Sequence, residues 1–217
     1  MYVEKTLSNP VRRDPAKTRE KLLQRAFMEI HEHGFQAASL DTILKDTGVT
    51  KGALYHHFPN KNALGYAVID EVIQPMVYQE WIAPLEEASD DPVNTIKQVI
   101  HRAGDAMTLN DLKLGCPLNN LSQEMSPIDE QFRHRLDGIY DQWRKGIAMA
   151  LRNGIKTGSV RSDIQPDSVA TFLVAALEGC IGMAKNAQSL TVLMQCGNEI
   201  FSYLENLRSN TDKKESA

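Results

Sequence analysis

Apolar residues recur along this chain at three- and four-residue spacing, and no run of β-branched residues alternates at period two. Leu22, Leu23, Ala26, Phe27 and Ile30 make one such stripe, which predicts a first helix over 15–33. Asp14-Pro15 supplies its start, because Asp caps free N–H groups and Pro costs nothing in a first turn. Gly34 is expected to end it as a left-handed cap, with Phe35 folding back on the stripe. Ser39 then caps a short helix to about Asp46 that buries Leu40, Ile43 and Leu44. Thr47-Gly48-Val49 is a tight turn, and Thr50 caps a third short helix to about His57. Pro59-Asn60 breaks the chain before a long fourth helix from Lys61, which Pro75 should kink or split.

Pro84 and Ser89-Asp90-Asp91-Pro92 mark a break before a helix over about 92–109. Gly115-Cys116-Pro117 opens a short helix to about Met125. Ser126-Pro127 starts another that runs toward Lys156, with Leu136, Ile139, Tyr140, Trp143, Ile147 and Leu151 on one face. Pro166-Asp167 opens a very apolar helix over 166–187, and Ser189 caps a last one over 190–208. With no hairpin turn and no internal repeat, the fold class is all-α. The expected organisation is a flexible arm at 1–13, a small helical domain at 14–60, a larger one at 61–208 and a disordered tail at 209–217.

Composition narrows the picture only modestly: 42% hydrophobic and 24% charged residues over 217 positions describe an ordinary globular chain with a real core. Charge is more informative once divided. Residues 1–65 hold ten Lys/Arg against seven Asp/Glu, whereas the remainder is acidic enough to bring the whole to −4. A basic head on an acidic body steers polyanions to one end. No apolar run approaches the ~20 residues of a bilayer span, and the N-terminus has no secretory core, so no membrane partner and a cytoplasmic location are expected. Cys116, Cys180 and Cys196 are scattered and form no CxxC pair, so neither a disulfide framework nor a zinc ribbon is expected. His31-Glu32-His33 does not converge on a metal, because i,i+2 residues on a helix do not face each other. No metal and no cofactor are expected. Without GxSxG, a phosphate-binding loop, a dinucleotide fingerprint or HExxH, an enzyme is not expected either.

The chemistry lies between Ser39 and Lys61, where two short helices flank a glycine turn, the skeleton of a helix-turn-helix. Val49 and Leu54 pack the pair together, which leaves Lys51-Gly52-Ala53 at the N-terminal end of the second helix, where base edges are read. Thr50, Tyr55, His57 and Lys61 can donate to phosphates. The stretch Gly48-Val49-Thr50-Lys51-Gly52-Ala53-Leu54-Tyr55-His56-His57-Phe58, with Lys61 and Leu64 in register, resembles the signature of the TetR family of repressors. The resemblance implies an operator-binding regulator. Ser39 and Thr42 would touch phosphate or an adjacent base, and Thr50, Lys51, Gly52, Ala53 and Tyr55 would form the reading surface. His57 and Lys61 would hold the backbone, with His56 beside them. A helix-turn-helix that binds protein instead of DNA is the alternative use of the same skeleton.

The resemblance also implies that the second half binds a small-molecule effector and forms a homodimer. Phe172, Leu173, Leu177, Ile181, Leu193, Ile200, Phe201 and Leu204 on the last two helices are the expected interface, as an antiparallel pair meeting its mate in a four-helix bundle. Met107, Phe132, Tyr140 and Trp143 can line an apolar effector pocket. Gly115-Cys116, followed by Leu121 and Glu124, resembles a segment in one branch of the family that includes electrophile sensors. By that likeness Cys116 and Lys185 join the effector site, and a redox-sensing repressor that uses Cys116 is the alternative to a noncovalent effector.

Overall fold

A computed structural model of the chain describes residues 14–86 and 91–209. The expected arm at 1–13, and all but Ser209 of the expected tail, lie outside the described residues. The small head consists of α1 (Pro15–His33), α2 (Leu40–Thr47) and α3 (Lys51–His57). Each starts at its expected cap. The Asp14 carboxylate accepts the Ala16 N–H, Ser39 Oγ the Thr42 N–H, and Thr50 Oγ1 the Ala53 N–H. α2 is fastened to α1 from inside: buried Glu29 accepts the Ser39 N–H and pairs with Arg25, which reaches on to Asp46.

Asn60 caps α4 (Lys61–Val68), the start of a helical run that reaches Glu86. Pro75 divides that run by hydrogen-bond register while the backbone stays helical. π turns at Ile69–Ile73 and Tyr78–Ile82 flank α5 (Gln74–Val77), and α6 (Ala83–Glu86) completes the run. Pro75 stands in the opening turn of α5, where its missing N–H costs least.

The body adds α7 (Pro92–Ala106), α8 (Leu109–Leu114), α9 (Pro117–Met125), α10 (Glu130–Thr157), α11 (Pro166–Ala187) and α12 (Leu190–Glu205). The helix expected over 92–109 therefore stops at Ala106, and α8 is an additional turn. Thr108 and Asp111 start it with a reciprocal capping box. α10 begins later than Ser126-Pro127 suggested, because Asp129 is the residue whose side chain accepts the Gln131 and Phe132 N–H groups. The last helix ends at Glu205.

α10, α11 and α12 pack together, and α7 closes over α10 and α12. α11 corrects the expectation about apolar runs: by length and composition it could cross a membrane. Here it is a core helix that buries Val169, Ala170, Leu173, Val174 and Leu177. Two further expectations are corrected. Leu173, Leu177, Ile200 and Leu204, expected at a dimer interface, are buried within the chain's own core, while Ile181, Leu193 and Phe201 are half-buried and Phe172 is exposed. Cys180 of α11 and Cys196 of α12 are joined in a disulfide, with Cα atoms 5.8 Å apart. The two lie equally far from the turn at Gln188, so the helix hairpin brings them face to face.

Candidate nucleic-acid interface and the joint behind it

α3 presents its N-terminal end outward. Thr50, Lys51, Gly52, Tyr55 and His56 are exposed, and Ala53 and His57 are half-exposed. Leu54 and Phe58 turn the other way and are buried, which fixes the rotation of α3 on the head. Ser39 and Thr42 stand half-exposed at the start of α2. Ser39 and Thr50 already accept capping N–H groups, yet each hydroxyl keeps its hydrogen to donate to phosphate. A shallow cleft of about 210 Å³ between α2 and α3 is lined by Asp41, Leu44, Lys51 and Tyr55. Lys61 donates to the Gln36 carbonyl at 2.9 Å and lies over the Phe35 ring, so its ammonium is held at the head's edge.

The residues expected to line an effector pocket do not share one place. Trp143 is buried against Trp81, with ring centres 4.8 Å apart, and borders a very small apolar cavity with Ile96, Val99 and Leu177. Phe132 is fully buried between Phe35 and Tyr66, where head meets body. Met107 caps the end of α7. Cys116 and Tyr140 meet instead around Glu178. The Cys116 thiol donates to Glu178 Oε1 at 3.3 Å, and the other oxygen of this buried carboxyl has no hydrogen-bond partner among the described residues. Burial pushes the Glu178 carboxyl up to about 7, opposed by the Cys116 thiol.

The geometry at Cys116 removes the basis for a reactive thiolate. Burial first, and the Glu178 charge second, push the Cys116 thiol far above its ordinary range, with only backbone N–H groups opposing them. Lys185 points elsewhere, donating to Asn120 Oδ1 at 3.1 Å. The redox alternative is therefore not favoured.

The joint between head and body holds residues that sequence reasoning missed. The Glu124 carboxylate accepts the Phe35 and Gln36 N–H groups, both at 2.8 Å, so α9 grips the loop that follows α1. Gly34 makes this possible. Its φ of 82° disfavours other residues, and a Cβ there would stand 3.0 Å from a Glu124 oxygen. The expected cap is thus a positive-φ turn fitted to the body, at ψ 160° and not in the left-handed helical well. Asp129 adds a second tie by accepting Tyr66 O–H and Asn62 N–H, and Arg19 pairs with Glu71 across α1 and the connecting run. Glu124→Ala leaves two N–H groups without that partner and is expected to cost about 1.5–3 kcal/mol. Urea unfolding followed by circular dichroism measures it, and an unchanged midpoint would show that the grip is not structural.

Two family descriptions match the chain. Residues 22–68 match the model for bacterial regulatory proteins of the tetR family, and residues 92–195 match the tetracyclin repressor-like C-terminal domain. The HTH-type transcriptional repressor DhaR of Mycobacterium sp. strain GP1 is 32% identical over 86% of this chain and 91% of its own length. The transcriptional regulator AcuR of Cereibacter sphaeroides is 29% identical over 79% of this chain and 78% of its own. Among solved structures, a regulatory protein TetR from Rhodobacter sphaeroides superposes with a TM-score of 0.76 at 25% identity, covering 85% of this chain and 97% of that one. Reduced Escherichia coli NemR does so at 0.76 and 24%, covering 88% and 97%, a likeness of fold. The chain belongs to the TetR family of DNA-binding transcriptional regulators.

Proposed function

We propose that the chain is a repressor that binds its operator as a homodimer through α2 and α3 and is released by a small molecule bound in or beside the body. The outward face of α3, with Leu54 and Phe58 anchoring its rotation, carries this reading. Thr50, Lys51, Gly52, Ala53 and Tyr55 read base edges. Ser39, Thr42, His56, His57 and Lys61 hold phosphates. The family's habit of binding operator DNA as dimers that answer to effectors, and the repressor named among its relatives, support the assignment.

The dimer surface we infer is the outer face of α11 and α12, not their buried stripe. Phe172, Ala175, Gly179, Gly182 and Met183 are exposed at helical spacing on α11, and Met194 is exposed on α12. Phe172 rests on Tyr203 of α12 with ring centres 4.8 Å apart, so both helices contribute to one face.

The roles of two lysines separate the reading from the holding surface. Lys61→Ala should weaken binding about equally on operator and random duplex and make the salt dependence shallower by about one phosphate contact. Lys51→Ala should instead change sequence preference, by about 1–3 kcal/mol at the base it contacts. Fluorescence anisotropy on both duplexes across a salt series measures this. Identical behaviour of the two variants would overturn the division, and absence of salt-sensitive duplex binding by the wild type would overturn the DNA reading itself.

A further inference from the structure

A cavity of about 510 Å³ opens at the joint, between α1 of the head and α9 and α11 of the body. Its walls are of two kinds. Phe27 and Ile30 from α1 and Pro117 and Leu121 from α9 are apolar, whereas His31, Asn120 and Lys185 are gathered at one polar end. Lys185 is half-buried there, and the only hydrogen-bond partner of its ammonium among the described residues is the neutral Asn120 amide. No carboxylate pairs with its ammonium among the described residues, an arrangement that leaves a partly desolvated charge uncompensated. His31 stands beside it with Nε2 2.8 Å from the Gly115 carbonyl.

The two carboxylates on the cavity wall do not answer that charge. Glu124 lies one turn beyond Asn120 on α9, roughly 6 Å along the axis, and is engaged by the Phe35 and Gln36 N–H groups. Glu32 is exposed beside His33. The cavity is therefore polarised, cationic at Lys185 and anionic toward Glu124, with an apolar floor between. We propose that it binds a small monocarboxylate with an apolar tail, its carboxylate on Lys185 and its tail against Phe27, Ile30 and Leu121. Because α1 lines one wall and α9 the other, a ligand there has a different affinity for each angle of head on body. That difference is what a ligand needs to shift DNA binding.

A pH dependence follows from the groups that face His31. Burial lowers its pKa most, Lys185 lowers it further, and the Gly115 carbonyl and Asp111 raise it; Glu32 and His33 adjoin it on α1, and Glu124 lies on the same cavity wall. A bound carboxylate adds a negative charge beside it and raises the pKa, so binding takes up a proton. Affinity must therefore increase as pH falls toward the His31 titration.

This inference rests on the effector-released reading only for its consequence, so binding is to be read first on the full chain without DNA. Calorimetric titration with hexanoate and benzoate, against hexanamide and benzamide as neutral counterparts, is the measurement. The acids should bind at least roughly 10-fold more tightly than the amides. Lys185→Gln should abolish that preference and Lys185→Arg should keep it, with unchanged melting temperatures showing that both fold. His31→Gln should remove the strengthening that develops as pH falls through and below the ordinary histidine range. Equal binding of acid and amide, indifference to Lys185→Gln, or no binding up to about 10 mM would overturn the site and leave the operator reading intact. Carboxylate binding that leaves operator affinity unchanged would overturn the coupling to the head.

Discussion

Phe132→Ala is expected to destabilise the protein by about 3–5 kcal/mol. Phe132 is fully buried, and its ring centre lies 4.6 Å from Phe35 of the head and 4.9 Å from Tyr66 of α4. The packing is close because Gly65 has no side chain. A Cβ at that position would meet Phe35 at 2.5 Å and Phe132 at 2.7 Å. Three rings and a glycine thus fill the joint, and the surrounding helices have little freedom to collapse into the space that Ala leaves. Both halves lose an anchor at once. The Glu124 grip and the Asp129 tie would then hold the head without an apolar floor beneath them. Denaturant unfolding should show the full loss, and operator affinity should fall with it as the head gains orientational freedom. A loss below about 1 kcal/mol would mean that the two halves pack independently.

How much of this was legible in the sequence depends on the range of the interaction. Caps are local, and Asp14, Ser39, Thr50, Asn60 and Ser189 each start a helix where their residue types imply. The Thr108–Asp111 capping box was equally local and could have been found, but the apolar pattern runs on past it into α8. At Ser126-Pro127 the proline misled, since the N–H groups that need a partner are those that Asp129 satisfies. The outward face of α3 was legible because Leu54 and Phe58 define the buried side of so short a helix that little else can face out.

What periodicity could not assign were faces of helices that are apolar all round. α11 carries apolar residues on both its core and its outer side, so Leu173 and Phe172 looked alike in sequence while one is fully buried and the other half exposed. The same limit scattered the expected pocket: Met107, Phe132 and Trp143 are all apolar residues of the body, yet three different contacts hold them. Cys180 and Cys196 find each other through a helix hairpin whose turn no cysteine spacing encodes. Glu124 reaches a loop far away in sequence, and only the fold shows its partner. Local signals therefore placed the elements, and long-range contacts decided which side of each does the work.

Assembly gives the largest expected functional effect. Phe172→Glu combined with Met183→Glu should convert the protein to a monomer at micromolar concentration and reduce operator affinity by at least about 100-fold. Both side chains are among the most exposed apolar groups of the chain, at 50% and 64%, so neither substitution disturbs the core of a single subunit. Leu177→Glu would not separate the two effects, because Leu177 is buried and its replacement would unfold the body. Between Phe172 and Met183 the exposed positions are Ala175, Gly179 and Gly182, small enough for a second α11 to approach closely. Two like charges facing their symmetry mates on that surface must be desolvated against each other, which a dimer cannot offset. Without its mate, one head reaches only one half-site, and the gain from holding two major-groove faces about 34 Å apart disappears. Sedimentation velocity and anisotropy on a natural operator measure the two losses. The melting temperature of the double variant should be unchanged once extrapolated to low protein concentration. A double variant that still sediments as a dimer would move the interface off α11 and α12 altogether.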